Sequence, residues 1–177
     1  MKGLGAVYMK IRLGIVAASF LLLACSNDQE EILIDPTQYQ VKTPVELQQR
    51  IDQLNHQLET DFLAFKKKEM NAFAHQFPLD SNNLNTLNQH LVASTSLKPT
   101  KVAYCDLMNS YFSDLYRLGQ VNLNLLDQIE LPNAKNENLK VIFSNSDEFY
   151  HFILDRYTTY RQVQQTMGYG CNLKAAL

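Results

Sequence analysis

Apolar residues beyond position 43 recur at steps of three and four, the spacing of one face of an α-helix. The first stripe comprises Leu47, Ile51, Leu54, Leu58, Phe62, Phe65 and Phe73. Thr43-Pro44-Val45-Glu46 opens it with a hydroxyl cap, a proline at the first helical position and a glutamate at the third. Pro78 closes it. A helix over 44–76 is therefore predicted, about 50 Å long at about 1.5 Å per residue. Such a helix would outreach its neighbours and leave part of its stripe for a partner.

A shorter helix carries Leu84, Leu87 and Leu91 behind a cap at Asp80 or Ser81. Ser94 to Thr100, with Pro99, reads as a loop. A third helix starts near Lys101 and holds Tyr104, Leu107, Met108, Tyr111, Phe112, Leu115 and Leu118 on one broad face. Val121, Leu125, Leu126 and Ile129 extend the pattern past Gly119, a candidate kink, up to Leu131-Pro132. Residues 134–144 are ambiguous between a short strand and a helical turn. No second strand is convincing, so helix or coil is the reading. A last helix begins among Ser144 to Asp147, carries Phe149, Phe152, Ile153, Tyr157, Tyr160, Val163 and Met167, and ends at Gly168. The expectation is an all-α domain over 43–177, an antiparallel bundle of about four helices.

The N-terminus is different in kind. Residues 1–12 are basic, with Met9 as an alternative start, and Leu13 to Ala24 form an apolar run too short to span a bilayer. The run ends in Leu22-Leu23-Ala24-Cys25. This resembles the lipobox of bacterial lipoprotein precursors: a branched residue, a variable one, a small one, then cysteine. The resemblance covers only the first 25 or so residues. It implies a signal peptide over 1–24, cleavage before Cys25, and acyl chains on Cys25. Ser26 in place of an aspartate implies passage to the outer membrane, facing the periplasm. Residues 25–42 are polar and acidic, and read as the lipidated cysteine followed by a flexible tether.

Composition then narrows the function classes. The chain is 46% hydrophobic with only 6 Gly and 5 Pro, enough apolar material for a core. Beyond residue 24 it has 13 cations against 18 anions, a net charge of −5. Nucleic-acid binding needs clustered cations, and none is expected here. The one basic run, Lys66-Lys67-Lys68, is followed by Glu69 and reads as a solvated helix face.

Cys105 and Cys171 remain once Cys25 is assigned to lipid. In an oxidising compartment such a pair is expected to bond. The loop of 66 residue steps makes the bridge worth about 4 kcal/mol in the chain-entropy account. No haem, zinc-protease, nucleophile-elbow or phosphate-loop motif is present, and no cofactor or catalytic residue is expected. Glu148 and His151 form a single Glu-x-x-His pair, a weak metal candidate, since di-iron bundles use two such pairs and two further glutamates. Tyrosines gather at 150, 157, 160 and 169, and at 104, 111 and 116. They fit a core whose hydroxyls reach the surface, or else an aromatic binding face.

The leading expectation is a non-catalytic envelope lipoprotein, attached to the bilayer through Cys25, with a protein-binding or structural helical domain. An inhibitor or immunity lipoprotein is the first alternative, and a metal-binding or enzymatic bundle the second.

Overall fold

The computed structural model describes residues 35–72, 92–93, 95–135 and 137–177. The signal-peptide and Cys25 readings, the cap at Asp80 or Ser81, the stripe through Leu84, Leu87 and Leu91, and His75 and His90 lie outside them.

Local chemistry sets the first helix. Thr43 Oγ1 accepts from the Glu46 N–H while the Glu46 carboxylate accepts from the Thr43 N–H, so the capping box is closed at both ends. Helix α1 runs Pro44–Lys68, and its inward line is Leu47, Ile51, Asn55, Leu58, Phe62 and Phe65. It ends earlier than its stripe predicted. Glu69 caps it, and a 3-10 turn, Met70–Ala72, follows. Of the three lysines, Lys67 and Lys68 are exposed, but Lys66 is buried, which lowers its ammonium pKa.

Helix α2, Lys98–Val121, begins three residues earlier than expected because Pro99 lies in its first turn, where a missing N–H costs nothing. It is 24 residues long against 25 in α1, so α1 does not outreach it. The two run antiparallel. Glu69 accepts from Thr100, Phe62 meets Tyr104 edge-on, and Asn55 accepts from Tyr111.

The kink considered at Gly119 is absent: α2 is continuous through it. Glycine serves a different need there, because the Phe143 ring lies against its Cα. A Cβ would come within 2.7 Å of the ring carbon Cγ. Instead α2 stops at Asn122, which is 2% exposed. Its Nδ2 donates to the carbonyls of Leu118 and Tyr39, and its Oδ1 accepts from the Val41 N–H. A side chain so committed to backbone groups ends the α-helix. The chain continues as a 3-10 turn, Leu123–Gln128, rather than as more α-helix.

The same asparagine revises the N-terminal boundary. Residues 35–42, composed like a tether, belong to the helical unit, which spans Asp35–Leu177. Pro36–Tyr39 forms a 3-10 turn, and the Tyr39 hydroxyl donates to Asp114 at 2.6 Å.

In and around the ambiguous stretch the described residues form a 3-10 turn at Pro132–Ala134 and a short helix, α3, at Leu139–Ile142, with turn and coil between. The last predicted helix is two: α4, Ser146–Arg156, and α5, Thr158–Met167. They break at Tyr157, just before the β-branched pair Thr158-Thr159. Both lie antiparallel along α2, through Tyr116 with Phe149, Phe112 with Tyr157 and Tyr160, and Lys101 with Met167. Gly168, in the left-handed region at φ 59°, turns the chain back toward α6, Leu173–Ala176. The architecture is an all-α helical bundle, with no strand longer than a single bridging residue among the described residues.

Gly119→Ala tests the close approach of Phe143. Alanine favours a helix over glycine, yet the added methyl overfills the site, so a loss of about 1–3 kcal/mol is expected. Urea unfolding measures it. A loss of the same size in a Phe143→Leu background would show that the ring is not the cause.

Candidate functional site: a groove beside α1

The sequence candidates do not converge. Glu148 and His151 lie one turn apart on α4, both exposed. The Glu148 N–H is capped by Asn145, and the His151 ring contacts Tyr150. Among the described residues no group of three His, Cys, Asp or Glu is placed to hold a metal ion. His56 is exposed beside Glu59 on α1. No described helix is long and apolar enough to cross a membrane.

Cys105 and Cys171 are joined by a disulfide, with Cα atoms 4.8 Å apart. It belongs to a longer seam. Lys101, Cys105, Asn109 and Ser113 repeat every four residues along α2, and all four hold the C-terminal tail. Lys101 Nζ donates to the Met167 carbonyl, Asn109 Nδ2 to the Cys171 carbonyl, and Ser113 Oγ to the Ala176 carbonyl. The tail thus runs parallel to α2.

The tyrosines are core residues first. Tyr104, Tyr111, Tyr116, Tyr157 and Tyr160 are buried, while Tyr150 and Tyr169 are half-buried. Their hydroxyls do not all reach the surface. Tyr111 donates to Asn55 and Tyr160 to Asn109, and the Tyr104 hydroxyl is buried without a partner among the described residues.

A different place has the form of a binding site. Between α1 and the segment 123–139 lies a groove of about 810 Å³, within the range of roughly 300–1,000 Å³ typical of ligand sites. Leu126, Ile129 and Leu131 give it an apolar floor. Gln48 organises its rim. Its Nε2 donates to Asp52 Oδ1 at 3.1 Å and to the Glu130 carbonyl at 3.3 Å, and its Oε1 accepts from the Glu130 N–H at 3.0 Å. One carboxamide thereby brings two exposed acidic residues to the same edge.

Neither Asp52 nor Glu130 pairs with a cation among the described residues. Two further lining carboxylates are already matched, Asp127 by Lys140 and Glu137 by Arg156. Lys135 is the one cation among the lining residues. Asn55 also lines the groove, although it is only 9% exposed. Its Oδ1 accepts from the Tyr111 hydroxyl at 2.7 Å, and its Nδ2 has no partner among the described residues.

Sequence reasoning missed this site. Asn55 falls on the apolar line of α1, in the register that Leu54 was assigned, and that intrusion was the available signal. The pairing of Gln48 with Glu130 spans 82 residues and left no local trace.

The chain matches no protein-family model, no curated protein and no solved structure.

Buried phenols make the unit sensitive to alkali. Burial raises the pKa of Tyr104, Tyr111 and Tyr160 and pushes Tyr157 up to about 12. In the unfolded chain tyrosines ionise near pH 10. Above that pH the unfolded state binds fewer of these protons than the folded state, so stability falls as pH rises. For Tyr157 the window runs from about pH 10 to about pH 12. The urea midpoint should fall between pH 9 and pH 11, with phenolate absorbance from these residues appearing together with loss of helical signal. Full phenolate absorbance from a still-folded protein would contradict their burial.

Proposed function

We propose that this chain is a lipid-anchored protein of a bacterial envelope, held by acyl chains on Cys25, whose helical domain acts by binding a protein partner rather than by catalysis. The observation that carries the reading is Leu22-Leu23-Ala24-Cys25 at the end of a basic-then-apolar leader. The disulfide between the other two cysteines supports it independently, because such bonds persist in oxidising compartments. It accounts for two of the three cysteines in the chain, and the third is Cys25.

Anchoring follows from transfer energetics. Each buried methylene contributes about 0.8 kcal/mol, so two or three acyl chains hold a protein stably where one does not. Ser26 favours delivery to the outer membrane, with the domain in the periplasm. A binding role is favoured by the groove beside α1, which offers an amide donor, carboxylates and an apolar floor.

The experiment is fractionation of bacteria fed labelled palmitate. The native chain should carry label and pellet with membranes. Cys25→Ala should yield a folded, disulfide-bonded domain that carries no label and leaves the membrane fraction. Label persisting in Cys25→Ala would overturn the assignment of the lipid. In-cell crosslinking of the anchored protein should recover one reproducible protein, and a lack of any under all growth conditions would contradict the binding role.

A further inference from the structure

We propose that the groove between α1 and the 123–139 segment receives a lysine- or arginine-bearing segment of the partner protein. This rests on the partner-binding reading above and specifies the partner's chemistry. Three features of the groove point the same way. Asn55 lines the groove with its Oδ1 already taken by Tyr111, which leaves Nδ2 free to donate to an acceptor on an occupant, such as a peptide carbonyl. Asp52 and Glu130 stand at one edge, where Gln48 holds the Asp52 carboxylate and the Glu130 backbone, and neither is ion-paired among the described residues, so a positively charged occupant is favoured. The floor of Leu126, Ile129 and Leu131 accommodates the aliphatic stem that leads to such a charge.

The combination is selective. A phosphate or nucleic acid would meet the two unpaired carboxylates of Asp52 and Glu130 against a single lining ammonium, that of Lys135. A bare cation would use the carboxylates but leave the Asn55 donor to water. A peptide carrying a cationic side chain satisfies the donor through its backbone and the carboxylates through its side chain. The net charge of −5 beyond residue 24 steers such a segment toward the domain at low ionic strength.

The test uses the full lipid-anchored chain in nonionic detergent. The probe is a fluorescein-labelled octapeptide of alternating lysine and alanine carrying a photo-crosslinking group. Anisotropy should show saturable binding that weakens with salt. Asp52→Asn/Glu130→Gln should weaken it at least tenfold. Both positions are exposed, so the fold survives, as circular dichroism verifies. Glu59→Gln/Asp61→Asn makes the same charge change on α1, outside the groove, and should leave binding unchanged. Crosslinks should fall within 48–55 and 126–139.

Four results would overturn the proposal. They are equal losses in both double variants, no loss in either, crosslinks confined to other regions, or no saturation at millimolar peptide. Displacement by spermidine at the peptide's own concentration would reassign the groove to small polyamines. Membrane anchoring is scored on the same preparations by palmitate label, so its failure is a separate result. An in-cell crosslink that survives Asp52→Asn/Glu130→Gln would overturn the groove while leaving the partner-binding reading standing.

Discussion

Helix α2 is covered on nearly every side, and the rest of the described unit is organised by that constraint. Tyr104, Met108, Tyr111, Phe112, Leu115 and Leu118 are all buried, and so are Cys105, Ser113 and Gly119. A helix enclosed in this way needs partners for the polar side chains it buries, and among the described residues the Tyr104 hydroxyl is left without one. The line Lys101, Cys105, Asn109 and Ser113 finds its partners by fastening the C-terminal tail, with rungs about 6 Å apart along the helix. The covalent rung fixes the register, and the three hydrogen-bonded rungs satisfy the tail's carbonyls. At the far end Asn122 does the same for the segment before α1.

That arrangement explains which parts of the fold were legible in the sequence. The capping box at Thr43, the stripes of α1 and α2 and the all-α class follow from local spacing, which is written in the chain, and the pairing of Cys105 with Cys171 follows from cysteine count once Cys25 is set aside. The misread boundaries are those set by distant partners. Residues 35–42 look like a tether because nothing nearby reveals that Asn122 and Asp114 will hold them. The extension of the third helix to Ile129 looked continuous in its apolar period, but Asn122 redirects the backbone there. Gly119 looked like a kink, and only the position of Phe143, 24 residues on, shows it to be a packing glycine.

The candidate site was less legible still. Its carboxylates are ordinary surface acids in the sequence, and one glutamine ties the Asp52 side chain of α1 to the Glu130 backbone of the 123–139 segment. Asn55 was the readable clue, a polar residue on an apolar line, half satisfied by Tyr111. Glu148 and His151 formed the more conspicuous sequence pattern, yet they stand on an exposed helix face with no third ligand beside them among the described residues. Spacing along one helix proposes pairs, whereas sites are assembled from several elements.

The account depends on the three cysteines having two fates, with Cys25 given to lipid and Cys105 given to Cys171. Mass spectrometry of a non-reduced tryptic digest of the membrane fraction tests this directly. The account predicts a disulfide-linked pair of peptides, residues 102–117 with residues 162–174, that separates on reduction, and no disulfide involving Cys25. Alkylation of Cys105 and Cys171 before reduction, or a bridge from either to Cys25, would contradict it.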